Sequence, residues 1–286
     1  MEENEPDWRI ANWVWDKKDE IADRLARIYQ WFRGSTEPRR DILILGAGGV
    51  GKTTLGGFLS GQFDLLSRPP GEYQESLEIE KFTITGTLES KTSAEVVIPP
   101  GQEHRRPGTW TELFSDLAAG KFRGVILISA HGYHAMGKIS YKKHPLYQQN
   151  RGKKKFLAAF LHDRRLEELA VLRQIAPHLM ASSQKLWFLS LVAKQDLWWA
   201  KQADVKAAYE QGPYGGEIQK ILAQRGPKDF RHEFVYASLV IGNFVTGMNE
   251  LLQPNTAGFD HHQYVQSLRR LFETMDVLRE WEERNG

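Results

Sequence analysis

The chain of 286 residues contains no cysteine. That absence excludes a disulfide-stapled scaffold, a thiolate zinc site and a cysteine nucleophile, and it accords with a reducing compartment. No apolar run approaches the roughly 20 residues that a bilayer span needs. The first residues, MEENEPDWRIANW, are acidic and lack the basic start and apolar core of a secretory leader. The expectation is a cytoplasmic protein with no transmembrane segment. An excess of one charge is missing too: 38 Lys and Arg face 36 Asp and Glu, a net of +2, so bulk charge announces no nucleic-acid partner. Internal repeats and low-complexity tracts are absent. What remains is an ordinary globular composition, 41% hydrophobic and 26% charged, long enough for one large domain with an appendage.

Periodicity divides the chain. Ile21, Leu25, Ile28 and Phe32 share one helical face within residues 8–33, and Gly34 and Pro38 follow as a stop. Residues 1–35 therefore read as an N-terminal helical extension, and 36–286 as the main domain. The extension carries Trp8, Trp13, Trp15 and Trp31; its apolar stripe packs on the main domain or receives a partner. In the main domain, short apolar runs at 41–45, 124–130, 185–196 and 231–240 read as buried parallel strands. Two further strands fall within 77–88 and 91–100. Helical patterns lie at about 52–63, 156–180, 200–224 and 260–284. Strands alternating with helices predict a three-layer α/β/α fold, its sheet mostly parallel with one antiparallel strand from 77–88.

One loop carries chemistry outright. Gly46-Ala47-Gly48-Gly49-Val50-Gly51-Lys52-Thr53 satisfies G-x-x-x-x-G-K-[ST], with a strand before it and a helix after. The glycines let backbone N–H groups curl around phosphate oxygens, and the helix N-terminus adds its positive end. Lys52 is expected at the β- and γ-phosphates, the Thr53 hydroxyl on Mg²⁺, and Thr54 beside them.

With that loop in place, the sequence resembles the P-loop GTPases of the Ras-like and Arf-like kind over roughly residues 39–285. Lys194-Gln195-Asp196 looks like the guanine-specifying N-K-x-D motif; the resemblance gives Asp196 the base N–H groups and Lys194 the base plane. The match departs at Ala193, where the family has asparagine. VIPPGQE resembles the second switch: Gly101 falls where a backbone N–H senses the γ-phosphate, and Gln102 where a glutamine orients the attacking water. The departure there is Ile98 in place of the aspartate that steers Mg²⁺. An apolar side chain cannot hold a hydrated cation, and Glu95, three residues earlier, points to the other sheet face. Ser238 of YASL resembles the loop residue that reaches the guanine O6; Ser76 is what the 73–80 region offers for the first-switch Mg²⁺ ligand, and it also reads as a solvated loop serine. The cofactors implied are GTP or GDP and Mg²⁺.

From Leu117 to His162 the chain has no acidic residue but holds Lys138, Lys142, Lys143, Arg151, Lys153, Lys154 and Lys155, all of them in a basic insertion at about 131–156. It reads as a site for an anionic partner or as a solvated loop. Three functional readings stay open: a GTP-binding switch with slow GTPase activity, engaging a protein partner through its switch loops or N-terminal helix; a pseudo-GTPase scaffold; and an ATP-using P-loop enzyme. The sequence assigns no arginine to the transferred phosphate; Arg105, Arg106, the basic insertion or a partner could supply one.

Overall fold

A computed structural model describes residues 41–60, 78–84 and 94–285. The N-terminal extension, Ser76 and most of the 70–78 loop lie outside the described residues.

The sheet has six strands: β1 (Asp41–Gly46), β2 (Glu80–Ile84), β3 (Ala94–Ile98), β4 (Phe122–Ser129), β5 (Leu186–Val192) and β6 (Phe230–Tyr236). Their order is β2-β3-β1-β4-β5-β6. All neighbouring pairs are parallel except β2 with β3, which run antiparallel with Glu80 opposite Ile98 and Phe82 opposite Val96. The chain thus has the three-layer α/β/α P-loop fold, and the antiparallel strand falls within the predicted 77–88. The central strands are buried on both faces, which is why they read as unbroken apolar runs.

The helices are α1 (Lys52–Leu59), α2 (Arg106–Ala118), α3 (Pro145–Gln149), α4 (Lys153–Ala181), α5 (Gln195–Trp198), α6 (Gln202–Glu210), α7 (Pro213–Arg225) and α8 (His261–Asn285). Helix α1 packs on β1, β2 and β3; α8 packs on β6; α2, α4 and α7 contact one another in series. Asp260 caps α8 by accepting from the Gln263 N–H, and Tyr264, Leu268, Leu271, Met275 and Leu278 form its buried stripe. The helical pattern over 200–224 is two helices rather than one. Pro213 has no N–H to continue α6, but its fixed φ suits the first turn of a new helix.

Two long connections depart from a plain doubly wound sheet. The first, 130–152, covers most of the basic insertion predicted at about 131–156, whose Lys153, Lys154 and Lys155 instead open α4. The second, 237–260, holds a small antiparallel hairpin, β7 (Phe244–Val245) with β8 (Leu251–Gln253). The two fold onto each other. Glu250 accepts from the Ser140 hydroxyl at 2.8 Å and the Tyr141 N–H at 3.0 Å, Tyr133 donates to Gln253, and the Tyr133 ring meets Phe244 edge-on. The basic insertion is therefore neither loose nor uniformly solvated. Its aromatic side packs inward, while Lys142, Lys143, Arg151, Lys153, Lys154 and Lys155 stay on the surface.

Candidate functional site

The loop between β1 and α1 turns at the end of β1. Gly49 and Gly51 hold φ of 74° and 110°, the left-handed region that glycine reaches without strain. Gly49 also has a neighbour too close for any side chain: a Cβ there would stand 2.6 Å from the Ala135 nitrogen. The approach is made by the first insertion, whose Ala135 N–H donates to the Gly49 carbonyl at 3.0 Å.

Lys52 folds back over the loop and donates to the carbonyls of Gly46 at 3.1 Å and Ala47 at 2.9 Å. It is 7% exposed. Burial, aided by the positive charge of Arg106, lowers its pKa to about 8, while Glu80 and Glu167 pull the other way. An ammonium has three donors. With two on carbonyls, the third is available to an anion, and a phosphate there would restore the charged form. Thr53, the next residue, is exposed at the start of α1, and Thr54 is half-buried.

The 99–102 segment meets this loop. A Cβ on Gly101 would lie 2.2 Å from the Lys52 ammonium and 2.4 Å from the Gly46 oxygen, so only glycine fits. Its carbonyl accepts two bonds from Arg106, at 2.9 and 2.7 Å. Arg106 is also ion-paired with Glu167 of α4 and buried. Arg106 is therefore no mobile arginine awaiting a phosphate, as the sequence allowed; its guanidinium fixes the 99–102 segment to α4. Gln102 follows at the mouth of a cavity of about 340 Å³ shared with Gly48, His104, His134, Arg164 and Glu167. Arg164, on the cavity wall, is paired with Asp163 and Glu167.

Ile98 is fully buried. Its Cδ1 and the Phe82 ring close over Gly56 of α1. It is a core residue, and no carboxylate stands at that position. Glu95 pairs with Lys81 at 3.0 Å near the far end of β3, so it does not substitute. Among the described residues no group of three or more His, Asp or Glu gathers as a metal cage. A hydrated Mg²⁺ does not require one. It takes one or two protein oxygens and fills the rest with water and phosphate. The exposed Thr53 hydroxyl beside the loop fits that demand.

At the other end of the loop, Lys194 sits in the left-handed conformation with φ of 58°. Its ammonium donates to the Gly49 carbonyl at 3.0 Å and to the Tyr133 carbonyl. Burial lowers its pKa to about 8. Asp196 lies in the first turn of the short α5. Its carboxylate accepts from the Ser238 hydroxyl at 2.7 Å and from the Gly242 N–H at 3.1 Å. The Ser238 hydroxyl oxygen in turn accepts from the Asp196 N–H. Asp196 is 2% exposed, and burial raises its carboxyl above the ordinary range against the pull of those two donors. Ser238 thus works through its side chain as well as its position. The second insertion covers this corner: Leu239 reaches to 3.4 Å from where a Cβ of Gly51 would stand, and its carbonyl is held by Tyr264.

Sequence reasoning missed a buried carboxylate at the centre of this arrangement. Glu168 of α4 accepts from the N–H groups of Ala130 at 2.8 Å and Gly132 at 3.1 Å, from His134 at 2.9 Å and from Tyr209. Burial alone would raise its pKa, but hydrogen bonds from His134, Tyr209 and the Ala130 amide outweigh it and hold the carboxyl below the ordinary range. The charge organises the turn that carries Tyr133 to Lys194 and Ala135 to Gly49. Its sequence signal was the absence of any acid through Leu117–His162, which leaves the buried turn to find its carboxylate on the following helix. His134 is accounted for here as the partner of Glu168.

By sequence, no protein-family model and no curated protein matches the chain. Similar solved structures include the mammalian SRP receptor, at 19% identity over 70% of this chain and 92% of that one, with a TM-score of 0.40. A second is the ADP-ribosylation-factor-like, small COPII coat GTPase SAR1 of Encephalitozoon cuniculi in complex with GDP, at 14% identity over 96% of each chain and a TM-score of 0.38. A third is the SRb-GTP/SRX complex of the signal recognition particle receptor from Chaetomium thermophilum, at 15% identity over 79% of this chain and 98% of that one, with a TM-score of 0.38.

Proposed function

We propose that the chain binds a guanine nucleotide and acts as a nucleotide-dependent switch with slow hydrolysis. The observation that carries this reading is the meeting of three distant segments at one sheet edge. Lys194 bonds Gly49 within the glycine loop, Asp196 is oriented beside it by Ser238, and Gly101 closes on Lys52 from the other side. Open α/β sheets bind ligands at this edge. The loop amides and Lys52 supply the phosphate site. Mg²⁺, when bound, neutralises phosphate charge, and Thr53 and Ser76 are the residues proposed to hold it.

Asp196 selects the base by accepting its two N–H donors, which adenine does not present as a pair. The buried carboxylate accepts one bond on each oxygen, from Ser238 and from Gly242, and its remaining lone pairs are open to the two base donors. Guanine would add two donors to the buried charge, whereas adenine would set an unmatched base edge against it, at a cost of about 1–3 kcal/mol. Slowness follows from charge. Gln102 positions water, but Arg106 and Arg164 are both committed to carboxylates, so the transferred phosphate would rely on Lys52 and on Mg²⁺, when bound, for its positive charge. Switching proceeds through the 70–78 and 99–110 loops. A protein partner there or at the N-terminal helix, and an anionic partner at the exposed lysines of 142–155, complete the proposal.

The second reading, a pseudo-GTPase scaffold, is favoured by the burial of Ile98. Titrating the purified chain with GTP, GDP and ATP, with and without Mg²⁺, and following phosphate release separates the readings. GTP binding with turnover supports the switch, GTP binding without turnover the scaffold, and an ATP preference removes Asp196 as base selector.

A further inference from the structure

We propose that the exposed cations of residues 142–155 form a surface for the phosphate backbone of double-stranded nucleic acid, bound without regard to base sequence. The inference rests on the part of the reading above that places an anionic partner here, and it names that partner's class. Lys142, Lys143, Arg151, Lys153, Lys154 and Lys155 are all exposed, and no acid stands between Leu117 and His162. Among the described residues no ion pair engages any of the six. Glu250, which feels Lys142, has its oxygens on Ser140 and Tyr141. Elsewhere the surface neutralises its cations locally: Lys121 faces Asp116, Arg173 and Lys220 face Glu217, and Arg269 faces Glu273. Helix stability does not explain the exception. Lys153, Lys154 and Lys155 fill the first turn of α4, where the helix dipole favours acids and repels cations. A self-repelling cluster of this kind is relieved by an anion from outside.

The same stretch chooses among anions. Among the described residues the exposed large apolar side chains are Ile79, Leu166, Met248, Leu251 and Val277, so none within 138–155 would enter a bilayer. The rings of Tyr141 and Tyr147 pack on each other and on Phe156 beneath the cations, so no aromatic face is offered to stack an unpaired base. That packing also sets the cations on a fixed backbone. Five of the six are lysines, point charges that meet phosphates without the bidentate fork that reads guanine. Lysine is also depleted from protein–protein interfaces. A duplex presents about one phosphate charge per 1.7 Å of its axis, which lets one polymer meet several of these cations at once.

The test uses the full chain without nucleotide, so its outcome is independent of guanine binding, which the titration above reads. Fluorescence anisotropy follows labelled duplex DNA and duplex RNA over a series of salt concentrations, with single-stranded DNA and phosphatidylserine vesicles as the competing classes. If each of the six cations meets a phosphate, the logarithm of duplex DNA affinity falls against the logarithm of salt with a slope of about −5. Two unrelated sequences should bind within about threefold of each other, since backbone contacts carry no sequence information. Lys142→Gln with Lys143→Gln, and Lys153→Gln with Lys154→Gln, should each flatten the slope by about two. The second pair removes cations from a helix N-terminus, so its melting temperature should not fall, and its lost binding is not lost folding. Lys121→Gln with Lys228→Gln makes the same change in net charge where β4 and β6 begin, at the sheet edge opposite the insertion, and should leave the slope unchanged. Binding of either duplex with this slope supports the assignment, and the tighter of the two identifies the source of the backbone. A parent slope flatter than about −2, an equal loss in the Lys121 and Lys228 pair, or tighter binding to single strands or vesicles than to either duplex would overturn it. A chain that binds duplex in this way but no guanine nucleotide would keep the surface and lose the switch.

Discussion

Gly101→Ala puts the contact between the 99–102 segment and the 46–53 loop to a direct test. The new methyl would stand 2.2 Å from the Lys52 ammonium, 2.4 Å from the Gly46 oxygen and 2.7 Å from the Ala47 carbonyl carbon. The ammonium is the far end of a flexible chain, but two hydrogen bonds hold it to the same carbonyls. Gly46 cannot retreat, because it ends β1 in register with Ile128 of β4. The 99–102 segment must move instead, by roughly 1 Å to reach ordinary contact. It is tied there by the paired bonds from Arg106, which is itself anchored on Glu167. Overpacking of this kind costs about 1–3 kcal/mol. For a chain of this size that lowers the melting temperature by about 2–10 °C.

Two assays separate strain from function. Thermal unfolding of the nucleotide-free chain reads the strain. The ratio of GTP to GDP affinity reads the function, because a displaced Gly101 N–H no longer meets a γ-phosphate. Loss of one hydrogen bond to a charged group, worth about 1.5–3 kcal/mol, shrinks the GTP preference by roughly 10- to 100-fold. Gly108→Ala is the control: it lies within α2 with no atom within 4 Å of the new methyl, and is expected to gain up to about 1 kcal/mol in helix propensity. Unchanged melting and unchanged GTP preference in Gly101→Ala, beside a stabilised Gly108→Ala, would show that the two segments do not meet as described.

Other perturbations reach different parts of the site. Lys52→Ala is expected to abolish triphosphate binding in a calorimetric titration, and affinity within about twofold of the parent would mean that the loop is not the site. Asp196→Ala should erase the preference for GTP over ATP in competition binding; retained selectivity would retire it as base selector. Glu168→Gln turns one acceptor of a buried four-donor cluster into a donor and should lower stability by about 1–3 kcal/mol in urea unfolding, whereas a loss under about 0.5 kcal/mol would deny the cluster its organising role. Lys52 titrates near 8 in the folded chain, against the ordinary lysine value of 10.5 that it regains on unfolding. Between those values the unfolded chain binds the extra proton, so stability contributed by this group rises with pH across about 8 to 10.5. Phosphate affinity falls over the same window as the ammonium is lost. Comparing the parent with Lys52→Met at pH values on either side of 8 isolates both trends, and parallel slopes in the two chains would refute them.

The strands and the glycine loop were legible because their causes are local. Buried parallel strands must be apolar on both faces, and a phosphate turn must be glycine-rich beside a lysine, so β1, β4, β5 and the 46–53 loop declare themselves in contiguous letters. The split of α6 from α7 was legible in principle through Gly212-Pro213, where proline's missing N–H outweighs an otherwise continuous helical pattern. The role of Arg106 was not, since nothing local distinguishes an arginine bound to a carbonyl five residues back and a glutamate 61 residues ahead from one free to reach a ligand.

The second insertion was the least legible element, and it alters the account of base recognition most. Its strands are two and three residues long, too short to carry a period. What fixes it is tertiary: Glu250 gripping the first insertion, Gln253 holding Leu197 and Tyr133, and Gly242 on Asp196. Motif matching places a carboxylate at 196 and stops there. The folded chain shows that carboxylate already accepting from the Ser238 hydroxyl and the Gly242 N–H and shut away from water. If Asp196 is the base selector proposed above, a base that offers two donors to its remaining lone pairs is favoured there over one that offers none. The cover formed by the two insertions would then sharpen that choice, because in open water the same carboxylate would lose little by being left alone.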